Sequence, residues 1–447
     1  MTWHPILAAI TASVVCVVSS EAQVGVRGEP RPCVSFWSGE ARLAQQTWQL
    51  TLTVTPDSVL VSVPSLWSPR QVPQNIVRAG RLLRFDFPFE IGTVEINVDP
   101  DGRQLVGTLR SRSGARGAVR LTKRTPPAFS AQDFTLDRDG VVIAATASVA
   151  ARQGRKPAVV ILHGGGNSSR ADSPPYRFWG EYFASNGYVA VTYDKRGNGR
   201  STGAWQSVGF SERAADVLAL VSWLRERPDV DPERIGLLSV SQGTWVAALV
   251  AARDPRIRFL VQVSGPVVSP FEADTYAALN RWRALRLDRS ELDAAERMWR
   301  HEADAIRRPA DSVAWSRYAA ADLSARSESW YAKSGYAPSK PSDWFAQWYR
   351  LVADFDPVPH LRQVRAPVLW MYGTEDTQSD VPRNRRIIDQ IIAGGQVRFA
   401  VATFRETGHG MLAPVDASGV SRGPLGTPPG FFETLERWLA RSAARRP

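Results

Sequence analysis

Cysteine is nearly missing from this chain: 447 residues hold two, Cys16 and Cys33. A disulfide framework is therefore excluded as the source of stability, and so is a cysteine-rich metal centre. Histidine is scarce as well, at five residues. No group of histidines and cysteines has ligand spacing, so neither a metal nor another cofactor is expected. Lysine occurs only at 123, 156, 195, 333 and 340, which leaves the formal net charge of +11 almost wholly to arginine. Those arginines are spread along the chain, with a short terminal group at Arg441, Arg445 and Arg446. Scattered charge makes a solvated basic surface, not the concentrated stripe that holds a polyanion, so no nucleic-acid partner is expected. Past the N-terminus no apolar run is long enough to span a membrane.

What is present is a globular share of apolar residues, 44%, enough for a sizeable core. The length prior suggests about three domain-sized units, though large α/β domains exceed it. Residues 1–22 read as a secretory signal, with Ile6–Val18 as the apolar region and Ser20-Glu21-Ala22 as the cleavage site. Cleavage before Gln23 leaves Cys33 alone, so the mature chain forms no intramolecular disulfide, and a domain this large needs none. A secreted or periplasmic location is the expectation.

Residues 33–123 show the period of short strands. Trp48, Leu50, Leu52 and Val54 alternate with polar residues, and so do Leu83-Phe85-Phe87 and Val94-Ile96-Val98. Pro56-Asp57, Ala79-Gly80 and Asp101-Gly102 punctuate them. The pattern predicts a small antiparallel sandwich or barrel of about seven strands, a packing accessory with no catalytic constellation. Arg124-Thr125-Pro126-Pro127 is a linker.

From 131 to 447 the pattern changes. Continuous apolar runs at Ala158–Leu162, Tyr188–Tyr193, Ile235–Val240, Phe259–Val263, Pro367–Tyr372 and Val397–Val401 alternate with helix-compatible stretches. Buried parallel strands read this way, and the alternation implies a doubly wound, mostly parallel sheet. Residues of about 270–360 interrupt it with helical sequence rich in tryptophan, at 282, 299, 315, 330, 344 and 348. This predicts a helical cap whose aromatics either form its core or line an apolar pocket.

The chemistry is marked by Ile235-Gly236-Leu237-Leu238-Ser239-Val240-Ser241-Gln242-Gly243-Thr244-Trp245. A strand runs into Ser-x-Ser-x-Gly and then a helix, the order that lifts one hydroxyl, Ser241, above a sheet edge. This stretch resembles the nucleophile elbow of the α/β-hydrolase superfamily, which reads Gly-x-Ser-x-Gly; Ser239 stands at the first glycine. A serine hydroxyl needs a base to take its proton, and that base needs an acid to hold its tautomer. The resemblance implies an acid after the Pro367 strand and a histidine near the C-terminus. Gly373-Thr374-Glu375-Asp376 and Glu406-Thr407-Gly408-His409-Gly410 stand there. Asp376 lies three residues past the strand-end glycine, with Glu375 and Asp380 as substitutes.

His163-Gly164-Gly165-Gly166 ends another strand and offers unobstructed amides. Gly165 and Gln242 are the expected oxyanion donors. The same turn could cradle phosphate, but no P-loop lysine follows it. Asp194-Lys195-Arg196-Gly197-Asn198-Gly199-Arg200-Ser201 is similar to the superfamily's Asp-x-Arg-Gly-x-Gly-x-Ser turn, taken as structural.

The resemblance runs from Gln132 to Arg445 and extends to secreted bacterial serine esterases and to dienelactone-hydrolase- and prolyl-peptidase-like proteins. It implies a secreted serine hydrolase that cleaves a small, apolar or aromatic carboxylic ester through Ser241, His409 and Asp376. A prolyl-type peptidase and an inactive binding protein on the same scaffold are the alternatives. Oligomeric state is left open.

Overall fold

The computed structural model describes residues 35–44, 46–87, 91–170, 173–395, 397–412 and 426–444. The signal-like segment 1–22, Cys16 and Cys33 lie outside these residues. The chain divides into two compact units, one ending at Pro127 and one beginning at Ala128.

The first unit holds nine strands in a single antiparallel sheet. They are β1 (Ser35–Leu43), β2 (Gln46–Val54), β3 (Val59–Val63), β4 (Ser68–Gln71), β5 (Val77–Ala79), β6 (Leu82–Phe87), β7 (Gly92–Val98), β8 (Gln104–Ser111) and β9 (Arg116–Arg124). Each pairs with its neighbour in sequence except at one place, where β1 closes on β9 and leaves β4 and β5 at the edges. The alternation turns one face inward, so Trp48, Leu50, Leu52, Phe85, Phe87, Val94, Ile96 and Leu109 are fully buried together. The unit is a half-barrel. It has two strands more than the seven expected, because β4 and β5 span only four and three residues. Runs that short carry no readable period.

The second unit is built on an eight-stranded sheet. Its strands are β10 (Phe129–Arg138), β11 (Val141–Ala150), β12 (Lys156–Leu162), β13 (Val189–Tyr193), β14 (Val230–Val240), β15 (Leu260–Val263), β16 (Val368–Gly373) and β17 (Phe399–Phe404). The order is β10-β11-β13-β12-β14-β15-β16-β17, antiparallel up to β13 and parallel from there on. All residues of β12, β13, β15 and β16 are buried, as strands covered on both faces must be. The helices α1 (Pro174–Ser185), α2 (Phe210–Glu226) and α3 (Gly243–Arg253) follow β12, β13 and β14. The chain leaves β12 for β13 on one side and returns for β14 on the other. Open α/β sheets bind ligands at the carboxyl ends flanking such a reversal.

Between β15 and β16 lies a helical insertion: α4 (Pro270–Ala284), α5 (Arg289–Ile306), α6 (Val313–Ala325), α7 (Ser329–Ser334), α8 (Trp344–Val352) and α9 (Val358–Leu361). Ser269 with Glu272 and Asp288 with Glu291 form reciprocal capping boxes that start α4 and α5. Of the six tryptophans expected here, Trp282, Trp299, Trp315, Trp330 and Trp348 are buried in the core, whereas Trp344 is 48% exposed. Most of the aromatic content therefore holds the cap together. The chain ends with α10 (Val381–Ala393), β17 and α11 (Phe431–Ser442). No helix among the described residues is long and apolar enough to cross a membrane.

Candidate active site

Ser241 sits where β14 gives way to α3, with φ +51°. A non-glycine residue in the left-handed region costs about 1–3 kcal/mol, and surrounding structure must hold it there. Here the Ser241 amide donates to the Val263 carbonyl at the end of β15, 2.9 Å away, and the Thr244 amide donates to the Ser241 carbonyl. Gly243 has no room for a side chain, since a Cβ would stand 2.7 Å from the His163 carbonyl oxygen. Ser239, at the first small position, is fully buried, and its hydroxyl donates to the Gln262 side-chain oxygen on β15. The Ser239 hydroxyl that takes the place of a glycine is thus itself hydrogen-bonded.

Asp376 follows β16 and is 4% exposed. One carboxylate oxygen, Oδ1, accepts the amides of Gln378 and Ser379, both at 2.8 Å. His409 Nδ1 lies 2.9 Å from Oδ2 and 3.0 Å from Oδ1. A carboxylate accepts only, so Nδ1 carries the proton and Nε2 is left with its lone pair. Glu375 is exposed, and Asp380 caps α10 by accepting the Arg383 amide. Neither bonds His409.

The histidine turn is tied down from afar. The Gly410 amide donates to Ser264 Oγ at 2.9 Å, and the Ser379 hydroxyl donates to the Ser264 carbonyl. From the cap, the Tyr276 hydroxyl on α4 donates to the Asp376 carbonyl at 3.3 Å. At Gly373 a Cβ would meet the Thr407 carbonyl oxygen at 2.1 Å and the Gly408 oxygen at 2.7 Å. Gly373→Ala must therefore push the His409 turn off the end of β16. A shift of about 1 Å in a reacting group costs roughly a hundredfold, and overpacking costs about 1–3 kcal/mol. We expect kcat to fall at least that far and the melting temperature to drop, read by steady-state kinetics and a thermal melt. A kcat within a few-fold of wild type would mean the turn yields without moving His409.

The glycine turn after β12 packs on the elbow, since a Cβ on Gly164 would stand 3.6 Å from that of Ser241. The Gly164 amide donates to the Tyr176 hydroxyl at 2.8 Å and is thereby occupied. Gly165 and Gly166 are exposed. Neither the Gly165 amide nor that of Gln242 bonds another described residue. Gln242 stands at the N-terminus of α3, and its side-chain oxygen accepts from Arg213 Nη1 at 2.7 Å. His163 is buried between the rings of Tyr176 and Tyr193, and burial holds its pKa well below the usual histidine range. It is a packing histidine.

The turn at 194–201 ties loops together. Asp194 accepts the amides of Arg170 and Arg200 and pairs with the Arg170 guanidinium. Arg196 forms a bidentate pair with Asp216, at 2.6 and 2.7 Å. Ser264, Tyr276, Tyr176 and Arg213 carry no sequence signal, because each acts on a residue distant in the chain.

No hydrogen bond joins Ser241 to His409; the histidine turn reaches the elbow through Ser264, which follows the Val263 that accepts the Ser241 amide. A strand–turn–helix elbow at the reversal of this sheet, with a histidine on a buried carboxylate after a later strand, defines an α/β hydrolase. Residues 128–384, more than half of the chain, match the model of the X-Pro dipeptidyl-peptidase (S15) family, and the chain belongs to that family. It is 35% identical over 96 residues to polyketide transferase claH of Penicillium crustosum, covering 21% of this chain and 31% of that one. It is 36% identical over 93 residues to thiohydrolase apmlB of Arthrinium phaeospermum, covering 20% and 30%. The chain thus spans about a third of the length of these curated relatives. Similar solved structures include DcsB in complex with its substrate analogue, with TM-score 0.45 and 19% identity over 71% of this chain and 100% of that one. Another is the esterase Pf2001 of Pyrococcus furiosus, with TM-score 0.44 and 17% identity over 71% and 92%.

Proposed function

We propose that this hydrolase is an exported serine esterase that works through an acyl-enzyme. Ser241 Oγ attacks the acyl carbon of an ester while His409 Nε2 takes its proton. The amides of Gly165 and Gln242 hold the oxyanion of the tetrahedral intermediate. The intermediate collapses as His409 returns the proton to the departing alkoxide, leaving the acyl group on Ser241. Water, deprotonated by His409, then releases the carboxylic acid and restores the serine. The observation that carries this reading is the bond from His409 Nδ1 to the Asp376 carboxylate, which leaves Nε2 free to act as a base, in a sheet whose elbow holds Ser241 at φ +51°.

The family itself favours a second reading, removal of dipeptides from peptide N-termini. Such an enzyme must hold a free ammonium group, and that calls for an uncommitted carboxylate. Asp376 serves His409, Asp380 caps α10, and Glu272, on the same helix as Tyr276, pairs with Arg383. Glu375, exposed next to Asp376, has no side-chain partner among the described residues, so the carboxylates do not separate the two readings and the substrate panel decides. For the acyl or alkyl group of an ester, exposed Trp344 packs edge-on against Trp205, whose ring nitrogen donates to Asn167 beside the glycine turn. Apolar or aromatic groups suit that surface.

The test is a panel of p-nitrophenyl esters of acetate, hexanoate and benzoate, an acyl thioester and an X-Pro p-nitroanilide, compared by kcat/KM. The esters are expected to lead, with benzoate or hexanoate ahead of acetate. A p-nitroanilide turned over faster than every ester would replace this reading with the peptidase.

A further inference from the structure

Lys195 is one of five lysines, and its side chain is buried beneath the glycine turn. Its Nζ donates to the Gly164 carbonyl at 2.8 Å and to the Gly166 carbonyl at 2.6 Å. The ring of Trp205 lies 5.3 Å from the same nitrogen. No carboxylate among the described residues pairs with it, and burial together with nearby Arg213 holds its pKa below the ordinary lysine value. Burying an amine head group with only carbonyls for partners is a costly way to brace a loop.

The consequence lies on the other side of the two peptide planes. Every described peptide bond here is trans, so each C=O points opposite to the N–H of the following residue. Holding the Gly164 oxygen inward turns the Gly165 N–H outward; holding the Gly166 oxygen inward does the same for Asn167. Gly165 and Asn167 are both exposed, on a turn that packs against Ser241. A glycine run has no side chains to fix these planes, and without the clamp the Gly164–Gly165 plane can rotate its carbonyl toward the site. Arg213 steadies the opposite donor by gripping the Gln242 side chain. Between Lys195 and Arg213 lies a cavity of about 20 Å³, lined also by His163 and Gln242. That space admits one water-sized group and no acyl chain, so no acyl group reaches Lys195 through it.

We propose that Lys195 is a positioning residue that sets the oxyanion hole by clamping the carbonyls of Gly164 and Gly166, so that the Gly165 amide faces the reacting centre. The proposal rests on the esterase reading. It gives function to a position in the 194–201 turn that the sequence marks only as structural.

The test uses the full-length protein with Lys195→Met, which keeps the apolar stem, and Lys195→Gln, which still donates to one carbonyl. The readouts are kcat and KM on a p-nitrophenyl ester, the affinity for an aryl trifluoromethyl ketone that forms an oxyanion on Ser241, and a thermal melt. For Lys195→Met the expected result is a kcat loss of about a hundredfold, the cost of one oxyanion donor. KM should stay within about threefold, and ketone affinity should fall in step with kcat. Lys195→Gln should lie between Lys195→Met and wild type, and it decides the matter alone if Lys195→Met does not fold. A folded variant with wild-type kcat overturns the proposal. So does one whose kcat falls while ketone affinity is kept, since that separates Lys195 from the oxyanion. Wild type turning over the ester, and Ser241→Ala not doing so, tests the esterase reading separately, so the two ideas can fail apart.

Discussion

Ser241→Ala is expected to lower kcat by roughly a millionfold while leaving the protein folded. A triad stripped of its nucleophile keeps only binding and oxyanion contacts, and losses of about that size follow. The reason to expect an intact fold is local. No described residue hydrogen-bonds the Ser241 hydroxyl, so its removal orphans no partner. Alanine meets the same strain at φ +51° that serine already bears. Stability should therefore stay within about 0.5 kcal/mol of wild type. Kinetics on a p-nitrophenyl ester and a thermal melt check both halves. Residual activity above about one per cent would move the nucleophile elsewhere.

Asp376→Asn should cost about ten-thousandfold in kcat, with little change in fold. The geometry says which way the new amide must face. Oδ1 accepts two backbone amides, from Gln378 and Ser379. Only the oxygen of asparagine can take that place, which turns its NH2 group toward His409 Nδ1. Nδ1 then accepts, the proton sits on Nε2, and the ring can no longer receive the serine proton. A loss smaller than tenfold would transfer the orienting role to Glu375 or Asp380.

Much of the sheet was legible because its parallel strands are covered on both faces and so read as unbroken apolar runs. The candidate triad was legible for a different reason. Its chemistry demands three side-chain types at strand ends in a set chain order, and few histidines compete for the role. The starts of two helices were not legible. Pro174 and Pro175 open α1 and Pro382 opens α10; proline is tolerated in a helix's first turn, where its missing N–H would have no partner anyway. The supports of the site were hidden more deeply. Ser264 holds Gly410 across 146 positions, and Lys195 holds a turn 29 to 31 residues away through backbone carbonyls alone. A carbonyl has no residue type, so no sequence pattern records what grips it. The cap tryptophans show the opposite hazard, since five of six are core and composition alone cannot tell a pocket from its packing.

The most direct measurement is labelling of the purified protein with a fluorophosphonate probe, with Ser241→Ala and Ser239→Ala run beside wild type. The phosphorus reacts only with a serine whose proton a neighbouring base removes. The account predicts label on wild type and on Ser239→Ala, and none on Ser241→Ala. Label that persists in Ser241→Ala, or a wild-type chain that takes none, would contradict it.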